Sequence, residues 1–359
     1  MRLTVAIVAG LLALPAASAA ASPSVVPAGF VAVTTGSGSL QIAAFKLDGS
    51  GERHLTTGPA NHHYPSVSPD GTQLLYTGDE GGVDEIYLLN LVGPVVTSQI
   101  TRPPLRANSA SWSPDGRSIV FSALLPGSAA YQIFVANADG SGSVQLTHTV
   151  DSGNAQPVFS PDGSHIAYIN GREAKGSGPN GSTVSGFANR IWVMAADGSD
   201  ASALTAGPID AYPAWLDATT VVFARTSYLS DSSEVVASSL DNRERVLSPA
   251  HQYFIEPRPL PDARSYGATM ETGGDLHLVK ISRVDGALLT ATRSSEFAVD
   301  VLPVPAADGS SLTMAWILAR VPPAARASGF PLGVAVTAAG GILVLVLAGL
   351  VAARKTNAC

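Results

Sequence analysis

The tetrapeptide Ser-Pro-Asp-Gly occurs three times in this 359-residue chain, and its spacing is the strongest constraint on the fold. The copies begin at Ser68, Ser113 and Ser160, at intervals of 45 and 47 residues. Proline fixes its own φ, aspartate bonds to the nearby backbone and glycine accepts a positive φ, so each copy predicts a chain reversal. Because short apolar runs flank every copy, each reversal is expected to join two β-strands.

A second phrase recurs between these turns, in which Asp-Gly is followed a few residues later by Leu-Thr. It occurs at 47–56, 138–147 and 196–205, and weaker forms follow nearer the C-terminus. Asp-Gly is typical of a tight hairpin, so each repeat contains a second reversal. Two reversals within a period near 45 residues predict four short strands per repeat, which is the size of a propeller blade.

The strand pattern therefore predicts an all-β fold, a six-bladed β-propeller of four-stranded antiparallel blades over residues 22–320. Its first blade, at about 28–57, has little room for its own first strand, whereas 298–305 supplies a spare one. We expect this spare strand to pair beside residues 30–35, because closing the ring removes exposed sheet edges. A flat two-sheet sandwich is the alternative, and the regular period favours the propeller.

Composition excludes several classes of function. The formal net charge is −7 and the pI is near 5.4, and no basic stripe is present that could neutralise phosphates. We therefore expect no nucleic-acid partner. The one cysteine is Cys359, the last residue, so no disulfide framework and no Cys-x-x-Cys pair exist within the chain.

Both ends of the sequence carry membrane signals. An arginine precedes the apolar run 3–15, and small residues follow it, which predicts a signal peptide over 1–21. An uncleaved anchor is the alternative. Near the other end, 332–353 contains no charged residue and would span about 33 Å as a helix, enough to cross a bilayer. Arg354 and Lys355 follow at once and are expected to stay cytoplasmic.

The repeats also have a recognisable form. An aromatic residue before Ser-Pro-Asp-Gly, an alternating apolar strand, a strand such as QIFV and then ADGS with Leu-Thr together resemble the TolB-type (WD40-like) β-propeller repeat. Residues 64–101, 108–147 and 155–205 match most closely, and the resemblance covers roughly 60–290. The chain is expected to depart from TolB proper in two ways, by the lack of a separate domain ahead of the propeller and by a membrane anchor.

This resemblance implies a bacterial setting, and it is specific for the fold rather than for the function. The family includes periplasmic proteins, propeller domains of peptidases and of polysaccharide lyases, and plain surface proteins. We therefore expect a single-pass protein of the bacterial plasma membrane with the propeller on the extracytoplasmic side. The expected order is a signal peptide (1–21), the propeller (22–320), a stalk (321–331), a transmembrane helix (332–353) and a cytoplasmic tail (354–359).

A candidate binding site follows from the geometry of a four-stranded meander. The Pro-Asp-Gly and Asp-Gly turns share one face, and the longer, variable loops, such as 170–189, share the other, where binding residues concentrate. These loops are expected to bring polar side chains to the mouth of a central channel, outside the core. The predicted ligand-binding residues are His62, His63, Tyr64, Asn154, Gln156, Asp210, Tyr212, His251, Tyr253 and Glu256.

Two functions remain open at this stage. The first is a non-enzymatic binding or scaffold module for a protein or a cell-envelope component such as a glycan. The second is a propeller lyase or hydrolase that acts on an acidic glycan, with a metal held at the channel mouth by histidine and carboxylate side chains. No GxSxG or HExxH motif occurs, and the loops named above supply no arginine or lysine to hold carboxylates. We therefore expect no catalytic residue and no cofactor, and leave the metal undecided.

Overall fold

The computed structural model describes twelve stretches of the chain, and all their regular structure is β-strand. They are 26–35, 39–46, 53–91, 96–177, 183–207, 209–226, 232–248, 252–259, 265–272, 275–283, 288–294 and 297–304. Within these stretches there is no helix with the length and apolar character needed to cross a membrane. The predicted signal peptide, stalk, transmembrane helix and tail, and the predicted site residue His251, lie outside the described residues.

The strands form antiparallel meanders of four, which we call units 1 to 6. Unit 1 contains β24, β1, β2 and β3, and units 2 to 6 contain β4–β7, β8–β11, β12–β15, β16–β19 and β20–β23. One parallel pair, Asn189 with Ile209, joins units 4 and 5 into one sheet. The strands are β1 (Val26–Thr35), β2 (Leu40–Lys46), β3 (Arg53–His54), β4 (His62–Val67), β5 (Gln73–Gly78), β6 (Glu85–Asn90), β7 (Thr97–Gln99), β8 (Arg106–Trp112), β9 (Ser118–Leu124), β10 (Gln132–Asn137), β11 (Val144–Gln145), β12 (Gly153–Phe159), β13 (His165–Ser177), β14 (Thr183–Ala195), β15 (Ser202–Ala203), β16 (Ile209–Asp217), β17 (Thr220–Thr226), β18 (Ser233–Ser239), β19 (Glu244–Val246), β20 (Tyr253–Pro259), β21 (Ser265–Thr272), β22 (Asp275–Ser282), β23 (Leu288–Ser294) and β24 (Phe297–Val304).

The Ser-Pro-Asp-Gly turns share one hydrogen-bond pattern in units 2, 3 and 4. In the first, Ser68 Oγ donates to Asp70 Oδ1 over 2.6 Å, and the Thr72 amide donates to the same oxygen over 3.0 Å. Gly71, with a φ of 73°, donates its amide to the Ser68 carbonyl oxygen. The other two copies repeat these bonds. The recurring tetrapeptide therefore specifies a hairpin turn, as the sequence predicted.

In units 1, 3 and 4 the threonine of the Leu-Thr phrase accepts a hydrogen bond from an amide of the third strand. In unit 3, Thr147 Oγ1 accepts a hydrogen bond from the Ile133 amide and donates one to Gln132 Oε1, over 2.8 and 2.9 Å. The corresponding residues of unit 1 make the same two bonds. A hydroxyl that both donates and accepts satisfies a strand-end amide and orders the neighbouring side chain. The threonine is therefore a structural part of the repeat.

The core lies in the seams between units. Leu74 and Tyr76 of β5 pack with Ile42 and Leu55 of unit 1, whereas Leu75 packs with Phe121 of unit 3. Successive side chains of a strand point to opposite faces, so the second strand of this unit is buried on both faces. This explains why the strands after the turns are nearly continuous apolar runs instead of alternating ones.

The first strands of the six units form a closed cycle of neighbours. β4 contacts β8, β8 contacts β12, β12 contacts β16, β16 contacts β20, β20 contacts β24, and β24 contacts β4. The cycle is completed by β24, which pairs antiparallel with β1 in the register Phe30–Val301, Val31–Asp300 and Ala32–Val299. This confirms the predicted pairing of the spare C-terminal strand beside residues 30–35.

One predicted loop is in fact a hairpin. The sequence placed a loop at 170–189 in the fourth repeat, but β13 and β14 continue pairing from Gly171–Asn189 out to Ser177–Thr183. A loop of that length without structure would leave many backbone donors and acceptors to be satisfied individually. Pairing the two arms satisfies them within the segment. The hairpin therefore extends from the edge of unit 4 that carries the long loops.

Deletion of residues 298–304 should destabilise the protein, because it removes β24 and leaves one long edge of β1 unpaired. We expect a lower Tm and concentration-dependent aggregation in light scattering. Deletion of 307–313, which has the same length and leaves β24 intact, is the matched control. If both deletions give the same Tm and the same monodispersity, the pairing of β24 with β1 does not hold the ring closed.

Candidate functional site

The two edges of the meanders differ as the sequence predicted. On one edge the turns of each unit bond to each other, as in the hydrogen bonds from Ala138 N to Arg117 O and from Ala196 N to Ser164 O. We call this the turn face. On the opposite edge the long loops bond to the next unit, as in the 2.8 Å bond from Asn154 N to Tyr131 O. We call this edge the loop face.

A bulge recurs in the first strand of units 2 to 6. At each of these positions the pairing register shifts and a residue other than glycine has a positive φ of 51–57°. Such a conformation costs a side-chain-bearing residue about 1–3 kcal/mol and is commonest at functional sites. A bulge also re-aims the side chain that it carries. The five residues are Tyr64, Ser109, Gln156, Tyr212 and Glu256.

Four of these five residues interact across the ring, although they come from four different units. Tyr212 N donates to Gln156 Oε1 over 3.0 Å, and the Gln156 side chain lies close enough to Tyr64 to act on its pKa. Glu256 acts electrostatically on both tyrosines. All four were predicted as site residues, and we call Tyr64, Gln156, Tyr212 and Glu256 the ring-centre cluster.

The ring-centre cluster keeps its tyrosines protonated. Burial first, and then the charge of Glu256, raise the pKa of both Tyr64 and Tyr212 above that of a free tyrosine. Both residues nevertheless remain partly accessible to solvent. A neutral tyrosine presents an apolar ring and a hydroxyl donor, so the cluster can contact both apolar and hydrogen-accepting groups of a ligand.

The surroundings of the cluster include charged residues that the sequence analysis did not select. Asp84 raises the pKa of Tyr64 and of Tyr131, whereas Arg258 opposes the rise at Tyr212 and Arg106 opposes the rise at Tyr131. Arginine therefore comes near this region from the strands β8 and β20, although the loops named in the sequence analysis supply none. Asp84 and Tyr131 follow no repeated motif, so the sequence offered no signal for them.

His63 lies beside the cluster. Its ring meets Tyr64 edge to face, with 4.8 Å between the ring centroids, and its Nδ1 is buried with no hydrogen-bond partner among the described residues. Burial lowers the pKa of His63, and the nearby charges of Asp84 and Asp79 act in the opposite direction. Burial therefore favours the neutral form of the His63 imidazole, although two aspartates lie nearby.

Three predicted site residues lie in the seams between units instead of at the channel mouth. His62, Asn154 and Asp210 are 3%, 0% and 0% exposed, and each stands two residues before a bulge. The expectation that they are loop residues outside the core is wrong, because they belong to strands and face a neighbouring strand or unit. Replacing them with alanine would disturb buried hydrogen bonds, so these changes are not the mild ones that the sequence implied.

The partners of these three residues are well defined. His62 Nδ1 lies 2.9 Å from Gln41 Oε1, and Asn154 Nδ2 donates to Thr149 Oγ1 over 2.6 Å. Asp210 Oδ1 and Oδ2 accept bonds from Arg225 Nε and Nη2 over 2.7 and 3.0 Å. Tyr253, the last of the predicted residues, begins β20, and burial raises its pKa to about 12.

The described residues contain no group of three or more histidine, cysteine, aspartate or glutamate side chains that could hold a metal ion. The residues that the sequence offers as metal ligands are His62, His63, His251, Gln156 and Glu256. The described ones lie in different places, since His62 points into a seam, His63 lies beside the ring-centre cluster, and Gln156 and Glu256 belong to that cluster. His251 is outside the described residues.

Comparison with known proteins agrees with this architecture. Residues 79–227 match the family model of the TolB beta propeller domain. A TolB homologue of Chlorobium chlorochromatii is 29% identical over 145 residues, which cover 40% of this chain and 31% of that protein. This chain carries a TolB-type β-propeller. The matched part spans about a third of the length of the curated TolB homologues.

Solved structures extend the TolB-type likeness to most of the chain. TolB from Acinetobacter baumannii superposes with a TM-score of 0.59 at 18% identity, over 77% of this chain and 66% of that one. A chain of the nidogen/laminin complex superposes with a TM-score of 0.56 at 12% identity, over 76% of this chain and 98% of that one. At these identities the likeness shows the propeller fold alone.

One buried carboxyl gives the TolB-type propeller a pH-dependent stability. Glu85 is 1% exposed and stands where Gln41 and Gln132 stand in units 1 and 3. Thr101 Oγ1 donates to Glu85 Oε2 over 2.5 Å, whereas Oε1 has no hydrogen-bond partner among the described residues. Burial outweighs the Thr101 bond and raises the pKa of Glu85 from 4.5 to about 7.

A carboxyl whose pKa is raised by folding favours the folded state only while it is protonated. Stability should therefore be highest below pH 4.5, fall as the pH rises to about 7, and stay lowered above it. In Glu85→Gln this pH dependence should disappear, and the variant should be the more stable protein at pH 8. Urea unfolding at pH 4.5, 6 and 8 measures the effect, with Glu234→Gln as the control at the corresponding exposed position. If the free energy of unfolding changes with pH in the same way in the wild type and in Glu85→Gln, Glu85 is not the source of the pH dependence.

Proposed function

We propose that the six units are the blades of one closed propeller and that this propeller is a non-enzymatic binding or scaffold module. Its ligand would be a protein or a cell-envelope component that approaches the loop face. The observation that carries this proposal is the ring-centre cluster, in which bulged strands of four units bring Tyr64, Gln156, Tyr212 and Glu256 together.

The chemistry of the cluster supports binding in preference to catalysis. Tyrosine is enriched in the energetically important centres of protein interfaces, because it contributes a large contact area together with a hydrogen-bonding tip. Phenols with raised pKa values are also poor nucleophiles near neutral pH, because the phenolate is scarce. The first strands that carry the cluster begin at the variable loops, and binding residues concentrate where such loops stand on a rigid scaffold.

A lyase or hydrolase acting on an acidic glycan is the second candidate. The observation that favours it is the presence of Arg106 and Arg258 near the tyrosines, since arginine can hold a carboxylate in a bidentate geometry. This candidate requires turnover of an oligouronide. A lyase would form an unsaturated product that is detected by its absorbance, and a hydrolase would form new reducing ends that are detected by a reducing-sugar assay. The binding proposal predicts no turnover in either assay.

The binding site is tested by immobilising the wild type and the double variant Tyr64→Phe/Glu256→Gln and comparing the envelope proteins and glycans that each captures. The double variant lacks one hydroxyl and one charge but keeps the shape of both side chains. We expect the partner bound by the wild type to be lost, with the Tm kept within a few degrees. Arg117→Gln, an exposed charge removal on the turn face, should bind normally. If Arg117→Gln abolishes capture and the cluster variant does not, the ligand binds the turn face.

The proposal includes export and tethering through the apolar segment 332–353. With Arg354 and Lys355 held inside, Cys359 should be cytoplasmic. In intact cells it should resist a membrane-impermeant maleimide, and it should label only after lysis. A cysteine placed at the exposed Thr57 is the positive control for the outside. Labelling of Cys359 in intact cells would reverse the proposed orientation.

A further inference from the structure

A crevice lies in the seam between units 1 and 2, apart from the ring-centre cluster. It has a volume of about 680 Å³, in the range of small-ligand sites. Its walls are Leu55 of unit 1 with Tyr76 and Leu89 of unit 2, which belong to the apolar core of this seam. The seam core is therefore open at one end, where a long side chain of another molecule can enter.

The opening has a cause in the sequence. In each of units 2 to 6, the residue two positions before the bulge pairs with a residue of the second strand. In units 4, 5 and 6 these pairs have large side chains, Asn154 with Asn170, Asp210 with Arg225, and Phe254 with Met270, and in unit 3 the pair is Ala107 with Ala123. In unit 2 the partner of His62 is Gly78, which has no side chain. The space that a side chain would occupy is left to Glu80.

Glu80 reaches back into this space from the loop face. Its Oε1 lies 2.9 Å from His62 Nε2 and accepts a 3.4 Å hydrogen bond from Tyr76 OH. A carboxylate has about four acceptor positions, so it retains capacity for a further donor. The Glu80 side chain is 35% exposed, and it is therefore accessible from the crevice.

The crevice has an unbalanced charge. Asp79 and Glu80 line it, and no lysine or arginine is among its lining residues. Asp79 is held by Asn61, whose backbone and side-chain amides donate to it over 2.7 and 2.8 Å. Glu80 is therefore the carboxylate that a cation can reach, while Leu55, Leu89 and the Tyr76 ring offer apolar contact to an alkyl stem.

We propose that the crevice between units 1 and 2 binds the arginine side chain of a peptide segment of a protein partner, with the guanidinium on Glu80 and the stem along Leu55, Leu89 and Tyr76. Arginine fits better than lysine, because its planar fork can donate to a carboxylate and lie against an aromatic ring together. The site is separate from the ring-centre cluster, and the two can engage one partner or two.

The test compares two labelled peptides on the full-length chain by fluorescence anisotropy, acetyl-Gly-Gly-Arg-Gly-Gly-amide and its citrulline analogue, which has nearly the same shape without the charge. We expect the arginine peptide to bind at least fivefold more tightly, and Glu80→Gln to remove this preference. Gly78→Ala is a second variant, since a Cβ there would lie 2.2 Å from Glu80 Oε2 and displace the carboxylate without deleting it. It should weaken arginine-peptide binding while leaving the citrulline peptide unchanged.

Equal binding of the two peptides, or an unchanged preference in a folded Glu80→Gln protein, would overturn the proposal. Glu256→Gln, in the ring-centre cluster, should bind the arginine peptide as the wild type does. If Glu256→Gln removes the preference and Glu80→Gln retains it, the cation binds at the ring centre and the crevice assignment is wrong. The two hypotheses can also fail separately. If the Tyr64→Phe/Glu256→Gln variant no longer captures the envelope partner but still binds the arginine peptide normally, the ring-centre cluster and the crevice are independent sites.

Discussion

The antiparallel pairing of β24 with β1 is the contact on which the rest of the structure depends. It joins strands about 270 residues apart in the sequence and places β24 between β20 and β4 in the cycle of first strands. A meander of short-range hairpins can form unit by unit, but the ring centre exists only when the cycle is closed. The closure of a long loop carries an entropy cost that grows only slowly with loop length, so one eight-residue strand can offset it.

Within the closed ring, each seam uses a different chemistry at the same place. The pair before the bulge is a hydrogen bond between Asn154 and Asn170, and in the next unit an ion pair between Asp210 and Arg225. Arg225 also bonds Glu244 and holds the pKa of that carboxyl below its usual value. In unit 3 the pair is Ala107 with Ala123, so the fold leaves the identity and size of these side chains free. Unit 2 is the exception, because Gly78 leaves the position open.

The turns and the ring closure could be predicted from the sequence, because both depend on local chemistry that recurs. The serine, aspartate and glycine of Ser-Pro-Asp-Gly each make a hydrogen bond within the turn, and the spare strand had one unpaired edge to join. The candidate site was predicted less well. His62, His63 and Tyr64 are adjacent in sequence, but alternation along β4 and the bulge send His62 into a seam and Tyr64 to the ring centre.

A sequence signal for the bulges was present in the repeats. Proline follows Tyr64, Gln156, Tyr212 and Glu256, so these four residues occupy one column when the repeats are aligned. Asp84 and Tyr131 have no such column, because their loops differ in length from repeat to repeat. Their positions depend on how each loop packs on the next unit, as in the bonds from Ala107 N to Asp84 O and from Asn154 N to Tyr131 O.

The bulges also explain why the loop face can vary without loss of the fold. A residue in the left-handed region is held there by the strands on either side, and its backbone amide is already satisfied, as in the bonds from Ser109 N to Thr77 Oγ1 and from Gln156 N to Ser122 Oγ. The acceptors for Ser109 and Gln156 are hydroxyls of the preceding unit, whereas the Tyr212 amide uses Gln156 Oε1, so the Gln156 side chain supports a bulge while the Tyr212 side chain remains available for another purpose. Serine at position 109 and tyrosine at position 212 occupy the same conformation with φ values of 53° and 57°. Specificity at the ring centre can therefore change through one side chain per unit, while the seams and turns that hold the ring stay as they are.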